Sequence, residues 1–371
     1  MSAGRPVLAA VLPFKEGFAP DSAGAIGLVV RDVARATAAS WETIVIGRAA
    51  GGPPFPGCRF VAAPPGALAR MLMGANLAYA RAVRRAVRVA APKLVEVHNR
   101  PTLALSLARL HLPVLLVLHN DPQGMRAAGT PAARARLLAR LAGVVCISDW
   151  VRQRLLDGTE DQALARKAHM IPNGLDLDAA SSPAETREKL ILFVGRLTAD
   201  KGFDSFVRAC ALALPALPGW RAEAIGGDRL RADGPESTPF IESIRPEAEA
   251  AGIAMPGFLD NARTLAAMSR AAVVVMPSRW EEPFGRVAQE AQLAGAALIA
   301  SRRGGLPEAA GEAALYVDPD RPEEIAAAIR RLAEDPPLAA RLREAGAAHV
   351  RQFGLDRTGA RWSALREAIA A

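Results

Sequence analysis

The chain has 371 residues, 46 lysines and arginines against 38 aspartates and glutamates, and a hydrophobic fraction of 51%. That length accommodates two domains. No apolar run reaches the roughly 18 residues that suggest a membrane-crossing helix, so none is expected. Cys58, Cys146 and Cys210 are too widely spaced for a metal motif or a disulfide framework. The opening MSAGRPVLAAVLPF runs into a strand without the layout of a signal peptide, and together with the cysteine usage it points to the cytosol.

Charge is unevenly spread. Residues 1–180 hold 22 basic and 12 acidic residues, a net +10, whereas residues 181–371 hold 24 and 26, a net −2. A basic first half beside a near-neutral second half suggests two domains with different partners. Nucleic acid is not expected among them, because no recognition motif or series of stacking aromatics accompanies the charge.

Taken in order, residues 7–12 predict a buried strand, 14–24 a loop with Gly17, Pro20 and Gly24, and 25–38 a helix. This unit opens a doubly wound sheet. Gly24 and Gly27 fall short of a full G-x-G-x-x-G, so the dinucleotide fingerprint is absent. Glu42–Gly47 predicts a second strand. Residues 69–91 predict a helix carrying Arg70, Arg81, Arg84, Arg85 and Arg88 among apolar residues. It fits a surface helix with a solvated basic face, or one that lies on an anionic membrane. Strands over 94–97 and 114–118 end at His98-Asn99-Arg100 and His119-Asn120-Asp121, polar clusters where open α/β sheets place ligands. His119 suits a structural role and a site role equally. A strand over 144–147 leads through Ser148-Asp149, an N-cap, into a helix over 150–156. Asn173-Gly174 predicts a turn, and the polar stretch 176–187 an interdomain linker.

The pattern then restarts. A strand over 190–194 is followed by Gly195-Arg196-Leu197, Asp200-Lys201-Gly202 and a helix over 203–214. Two cations just past a strand end suit a diphosphate, Arg196 as a planar fork and Lys201 as a compact charge. A strand over 221–225 ends at Gly226-Gly227-Asp228, and residues 229–239 predict a loop. Residues 253–259 carry MPGFL. A strand over 296–300 ends at Gly304-Gly305-Leu306-Pro307-Glu308. Helices are predicted over 322–333, 337–352 and 356–370.

The stretch 273–294, VVVMPSRWEEPFGRVAQEAQLA, ties these pieces together. It predicts a buried strand, a break at Pro277-Ser278, and a helix that starts near Pro283 and carries Glu290. The first N–H groups of a helix lack internal partners and favour an anion. Gly285 allows close approach to the backbone. With helix between them, Glu282 and Glu290 would stand roughly 12 Å apart, a span matching the reach from the sugar of a nucleotide-sugar to its ribose. Carboxylates accept from paired hydroxyls. The same pattern also fits an ordinary helix with an acidic first turn.

The ordered set resembles glycosyltransferase family 4, the large retaining group that includes bacterial lipopolysaccharide, capsule and exopolysaccharide enzymes. The resemblance is carried by Ile171-Pro172-Asn173-Gly174 with Asp176, Gly195-Arg196-Leu197 with Lys201-Gly202, Pro256-Gly257-Phe258 and Pro277-Ser278. The E-x7-E pair Glu282 and Glu290, then Gly304-Gly305 with Pro307-Glu308 and the tract 314–319, complete it. It covers roughly residues 144 to 353; the first 140 match in layout alone.

The fold this resemblance implies is α/β, the GT-B fold: two Rossmann-like doubly wound domains facing a central cleft. An acceptor-binding domain over 1–177 and a donor-binding domain over 178–355 are expected, with a helix over 356–371 packing back toward the first. The resemblance places Arg196 and Lys201 on the donor diphosphate and Glu282 on the donor sugar, helped by backbone N–H groups at Phe284 and Gly285. Val287 and Gly195 line the donor site, Glu290 holds the ribose, and Gly257, Phe258 and Leu259 lie near the base. His119 lies beside the donor sugar. Gly24 faces the diphosphate, although Ala25 follows where the family often has a second glycine. Arg286 stands where many relatives carry an apolar residue.

The function implied is retaining transfer of a sugar from a UDP-, GDP- or ADP-sugar to a glycan or lipid-linked acceptor. His119, Glu282, Arg196 and Lys201 are the catalytic set. No Asp-x-Asp motif is evident, so cofactors are expected to be none and arginine, lysine and helix dipole to replace a metal ion. Two alternatives are a nucleotide-sugar epimerase of the same fold and a non-catalytic sugar-nucleotide binder. The basic first half makes an anionic membrane surface a further expected partner, with a cytoplasmic protein peripheral on the inner membrane. Arg70 to Arg88, Arg126, Arg134, Arg136 and Arg140 would be its contacts.

Overall fold

Strands such as VLAAV and VLLVL are apolar at every position, as suits strands covered on both faces. In the computed structural model, which describes residues 4–20, 22–179, 187–227 and 238–371, they form two separate parallel sheets. The chain divides into one unit of Met1–Gly174 with Phe353–Ala371 and a second of Leu175–Gln352.

The first unit holds β1 (Val7–Val11), β2 (Glu42–Gly47), β3 (Arg59–Ala62), β4 (Leu94–His98), β5 (Val114–Leu118), β6 (Gly143–Cys146) and β7 (Ala168–Met170). Their order is β3-β2-β1-β4-β5-β6-β7. The order reverses between β1 and β4, the kind of switch point at which open sheets bind ligands. The second unit holds β8 (Glu188–Val194), β9 (Arg221–Ile225), β10 (Ile253–Gly257), β11 (Ala271–Met276), β12 (Ala297–Ser301) and β13 (Ala314–Val317), in the order β10-β9-β8-β11-β12-β13. Its switch point lies between β8 and β11, whose ends lead into Gly195-Arg196 and Pro277-Ser278.

The last helix, Leu355–Ala370, belongs to the first unit and lies against the helix Ala25–Ala36. Gly359 makes that approach possible, since a Cβ there would stand 2.7 Å from Ala36 Cβ. Trp362 joins Leu8, Val29 and Val33 in the core. Beside it, Arg366 is buried and forks onto Glu96 of β4, Nε to Oε1 at 2.7 Å and Nη2 to Oε2 at 3.0 Å, while Nη1 donates to Thr37 Oγ1 at 2.7 Å.

Several elements depart from expectation. The edge strand β3 is half-exposed and lacks the apolar run that marks its neighbours. The helix Ala67–Ala90 is broken at Gly74, whose φ of 76° and ψ of 158° only glycine adopts cheaply. The predicted loop over 229–239 falls mostly outside the described residues, as do Asp228 and residues 180–186 of the predicted linker. Pro239 instead begins the helix Pro239–Ala250. Among the described residues, no helix is long and apolar enough to cross a membrane.

Removing one member of a buried ion pair leaves the other charge stranded. Arg366→Met is therefore expected to cost about 3–5 kcal/mol in urea unfolding, and Glu96→Gln in that background to recover part of it. A cost below about 1 kcal/mol for Arg366→Met would show that the pair does not anchor the helix.

Candidate active site

The second unit brings Arg196, Asp200, Lys201 and Glu282 together at its switch point. After β8 the chain turns through Gly195, whose N–H donates to Ile225 O at 3.1 Å, and presents Arg196. Arg196 Nη2 meets Asp200 Oδ2 at 2.8 Å. Gly202 has φ 71°, and a Cβ there would stand 1.9 Å from Pro277 O. Only glycine lets this loop press against the end of β11, and that contact brings Lys201 to the stretch after Pro277. Lys201 Nζ lies 2.6 Å from Glu282 Oε1 and 4.2 Å from the centre of the Trp280 ring, with the Arg196 guanidinium 5.9 Å from the same ring. Burial pushes the Asp200 carboxyl up, but the nearby Thr198 and the charges of Arg196 and Lys201 outweigh it and hold its pKa below the ordinary aspartate value.

Glu282 is fixed through its backbone as well. Its carbonyl accepts from Gly305 N at 2.6 Å, and Gly304, at φ 59°, passes so close that a Cβ would fall 2.2 Å from that oxygen. The next helix is Arg286–Leu293, three residues later than Pro283 suggests. Gly285 sits in the left-handed region at φ 118° and ends the non-helical segment, so Pro283 lies outside the helix. Glu290 therefore stands one turn into the helix, and the 12 Å spacing derived from continuous helix does not apply. Phe284, between Glu282 and Gly285, is buried. Val287 is half-buried in the first turn.

Glu290 has two partners on one oxygen: Arg286 Nε at 2.8 Å and Asn261 Nδ2 at 3.1 Å, both to Oε1. Among the described residues nothing donates to Oε2 of Glu282 or of Glu290, so each buried carboxylate keeps an acceptor in hand. Asn261 opens the helix Asn261–Arg270, capped by Asp260 Oδ1 accepting from Arg263 N at 2.8 Å. Just before it, β10 ends at Gly257, Leu259 is half-buried, and Phe258 is 66% exposed, an aromatic face open to a ligand.

Trp280, Asn261 and the partnering role of Arg286 were not legible in the sequence. Trp280 sits beside Glu281-Glu282, but the cations it faces belong to the distant loop after β8. Asn261 carried no signal, because its partner is 29 residues away.

In the first unit, His98 and His119 end adjacent strands, with His98 Nδ1 and His119 Nε2 2.9 Å apart. Gly24 precedes the helix Ala25–Ala36, but this start already holds a carboxylate: Glu16 Oε1 accepts from Gly27 N at 2.8 Å. Burial raises the Glu16 pKa against the pull of the Gly27 and Gly24 amides. A diphosphate reaching Gly24 would have to displace Glu16 or meet it protonated. Among the described residues no group of three or more His, Cys, Asp or Glu could hold a metal ion.

Two family models match the chain, "Glycosyltransferase Family 4" over residues 26–179 and "Glycosyl transferases group 1" over residues 176–349. The chain belongs to glycosyltransferase family 4. A relative, the D-inositol 3-phosphate glycosyltransferase of Corynebacterium glutamicum, is 37% identical over 190 residues, which is 49% of this chain and 44% of the relative. The chain thus spans about half the length of the curated relatives it matches. Sucrose-phosphate synthase from Thermosynechococcus elongatus superposes with a TM-score of 0.78 at 23% identity, covering 97% of this chain and 98% of that one. HepE of Anabaena, solved with UDP and glucose, gives a TM-score of 0.75 at 17% identity, covering 97% and 99%. These likenesses establish the fold as GT-B.

The buried histidines of this family-4 chain make its stability pH-dependent. Burial, with the neighbouring Arg366 charge, lowers the His98 pKa below 6.5, and burial with the neighbouring His98 lowers that of His119. The unfolded chain therefore binds protons first as pH falls through 6.5, and stability drops. The slope reaches at most about 1.4 kcal/mol per pH unit for each histidine. Glu16, raised by burial, works the opposite way at lower pH. Unfolding followed between pH 7 and about 5 should show this loss, with a flatter profile for a His98→Asn/His119→Asn variant. Equal stability of the unmodified protein across that window would contradict the burial of a neutral pair.

Proposed function

We propose that this chain is a retaining glycosyltransferase that moves a sugar from a nucleoside-diphosphate sugar to a glycan or lipid-linked acceptor of cell-surface polysaccharide synthesis. The observation that carries the reading is Lys201 bonded to Glu282 beside Arg196 at the switch point of the second sheet. In this reading Arg196 and Lys201 meet the diphosphate, with Gly195 giving room. Glu282 takes sugar hydroxyls with help from the backbone at Phe284 and Gly285. Glu290, steadied by Arg286 and Asn261, holds the ribose, Val287 packs beside it, and Phe258 flanks the base with Gly257 and Leu259. His119 is proposed as a further group that meets the donor sugar, and Gly24 as a contact that depends on Glu16 giving way. The UDP and glucose bound to HepE support a donor of this class.

As the bond from sugar to phosphate breaks, negative charge grows on the leaving diphosphate and the sugar becomes oxocarbenium-like. Fixed cations aimed at that charge bind the transition state more strongly than the ground state. No residue stands out as a covalent nucleophile. The proposed course is therefore attack on the same face, with the departing phosphate taking the acceptor's proton. Arg196 and Lys201 take the place of a metal ion. Lys201→Ala and Arg196→Ala should each lower kcat/KM by an equivalent of about 2–4 kcal/mol, and turnover should survive EDTA. Near-normal turnover in both variants, or a complete loss in EDTA restored by one divalent ion, would overturn the assignment.

The acceptor side of the reading is a cytosolic enzyme docked on the inner face of an anionic membrane. Between residues 63 and 142 the acidic residues are Glu96 and Asp121, which pair with Arg366 and Arg154. Arg81, Arg85 and Arg88 rim a groove of about 870 Å³, and Arg109, Arg136, Arg140 and His111 line a depression of about 440 Å³. Leu68, Met71, Leu72 and Leu77 are exposed on the same helix as Arg81. Two expected contacts are corrected: Arg134 is buried and donates to the carbonyls of Leu155, Ala128 and Asp157, and Arg84 turns inward to Ser106 O at 2.6 Å. Near an anionic leaflet each arginine contributes about 1 kcal/mol, screened by salt. The chain should co-sediment with phosphatidylserine-containing vesicles at low salt and lose this on replacing Arg81, Arg85 and Arg88 by Glu. Indifference of the unmodified protein to such vesicles would end the docking proposal and leave the transferase reading standing.

A further inference from the structure

The ends of β4 and β5 carry a pair of histidines of which only His119 has a part in the proposed donor site. His98 and His119 stand with Nδ1 and Nε2 2.9 Å apart, their rings 26° from parallel. A contact of this length between two neutral imidazoles needs one proton between them, so one ring donates and the other accepts. The two choices are not equal. His98 is 3% exposed, and its other nitrogen, Nε2, is buried without a hydrogen-bond partner among the described residues. A proton on that atom would be a stranded donor, and orphaned buried N–H groups are rarer and more costly than idle acceptors. The His98 proton therefore belongs on Nδ1, where it has His119 Nε2 to bond.

The consequence passes to the second ring. With Nε2 accepting, a neutral His119 carries its own proton on Nδ1, because the bond made by one ring nitrogen sets the state of the other. We infer that His98 is a positioning residue that fixes His119 as a neutral imidazole with its proton on Nδ1, offering a hydrogen-bond donor and not a base. Its neighbour completes the hold. Asn99 sits in the left-handed region at φ 58°, its N–H donates to Val117 O at 2.8 Å, and its Oδ1 accepts from His119 N at 3.1 Å. Two consecutive residues at the end of β4 thus grip the backbone and the ring of one residue at the end of β5. The Arg366 guanidinium, fixed on Glu96, adds a positive charge that opposes a further proton on His98. A donor on Nδ1 suits an oxygen lone pair, such as a sugar hydroxyl or a phosphate oxygen.

The first test does not depend on the proposed function. The full chain has five histidines, few enough to assign by single substitutions in a sample with ¹⁵N-labelled imidazoles. At neutral pH, NMR should find His119 protonated on Nδ1 and bare on Nε2. His98→Ala should abolish that pattern. His98→Asn should keep it, because the Asn amide nitrogen takes the place of Nδ1 and can donate. A proton on His119 Nε2 in the unmodified protein, or an unchanged His119 tautomer in a folded His98→Ala variant, would overturn the inference; the measurement on unmodified protein decides even if the variant does not fold. The second test rests on the transferase reading. His98→Ala should lower kcat about 10- to 100-fold, the range for loss of a group that orients a functional histidine, with donor KM changed less than about twofold. His98→Asn should restore much of the loss. A donor KM that rises as far as kcat falls would mark His98 as merely structural. Absence of turnover in the unmodified protein would tell against the proposed function and leave the NMR result intact.

Discussion

Lys201 and Glu282 end adjacent loops of the second sheet, and the 2.6 Å between Nζ and Oε1 organises what surrounds them. The contact exists because β8 and β11 are neighbours, because Gly202 lets its loop touch Pro277, and because Gly304 and Gly305 hold the Glu282 backbone. Lys201 and Glu282 keep 17% and 9% of their side-chain surface exposed. A pair at that depth loses much hydration and gains a comparable attraction, so it adds little net stability. Its value lies elsewhere: a lysine held beside a carboxylate is already ordered and charged, and an incoming diphosphate would meet a preorganised cation.

The two sheets solve the same folding problem twice. Apolar strands paired in parallel need helices on both faces, and each sheet reverses its order once, between β1 and β4 and between β8 and β11. Polar residues at those reversals are free of packing duty, and the candidate residues Arg196, Lys201 and Glu282 all follow β8 or β11. The first unit is also closed by the end of the chain. Arg366 reaches a strand 270 residues earlier to pair with Glu96. A buried glutamate flanked by valines in β4 is explained by that distant partner.

Local pattern was enough for most strands, for the N-cap at Ser148 and for the cations after β8, because periodicity and strand-end polarity are properties of neighbouring residues. Distant contacts were not. Asn261 on Glu290, Arg366 on Glu96 and the inward turn of Arg84 and Arg134 depend on which helix lies against which, and sequence spacing carries no record of that. The late start of the helix Arg286–Leu293 is an intermediate case. Pro283 favours a helix start, but Gly285 at φ 118° overrides it, and a glycine does not announce in sequence whether its φ will be positive. The break at Gly74 escaped for the same reason.

The central claim is that the second unit seats a nucleotide through two carboxylates with different duties. Isothermal titration of the full chain with UDP, GDP and ADP tests it without an acceptor or turnover. One of the three should bind. Glu290→Ala should weaken that binding by about tenfold or more, the equivalent of about 1.4 kcal/mol. Glu282→Ala, which removes the proposed sugar contact and the partner that orders Lys201, should weaken binding of the free nucleotide less than Glu290→Ala does. Failure of all three nucleotides to bind, or undiminished affinity in Glu290→Ala, would contradict the account.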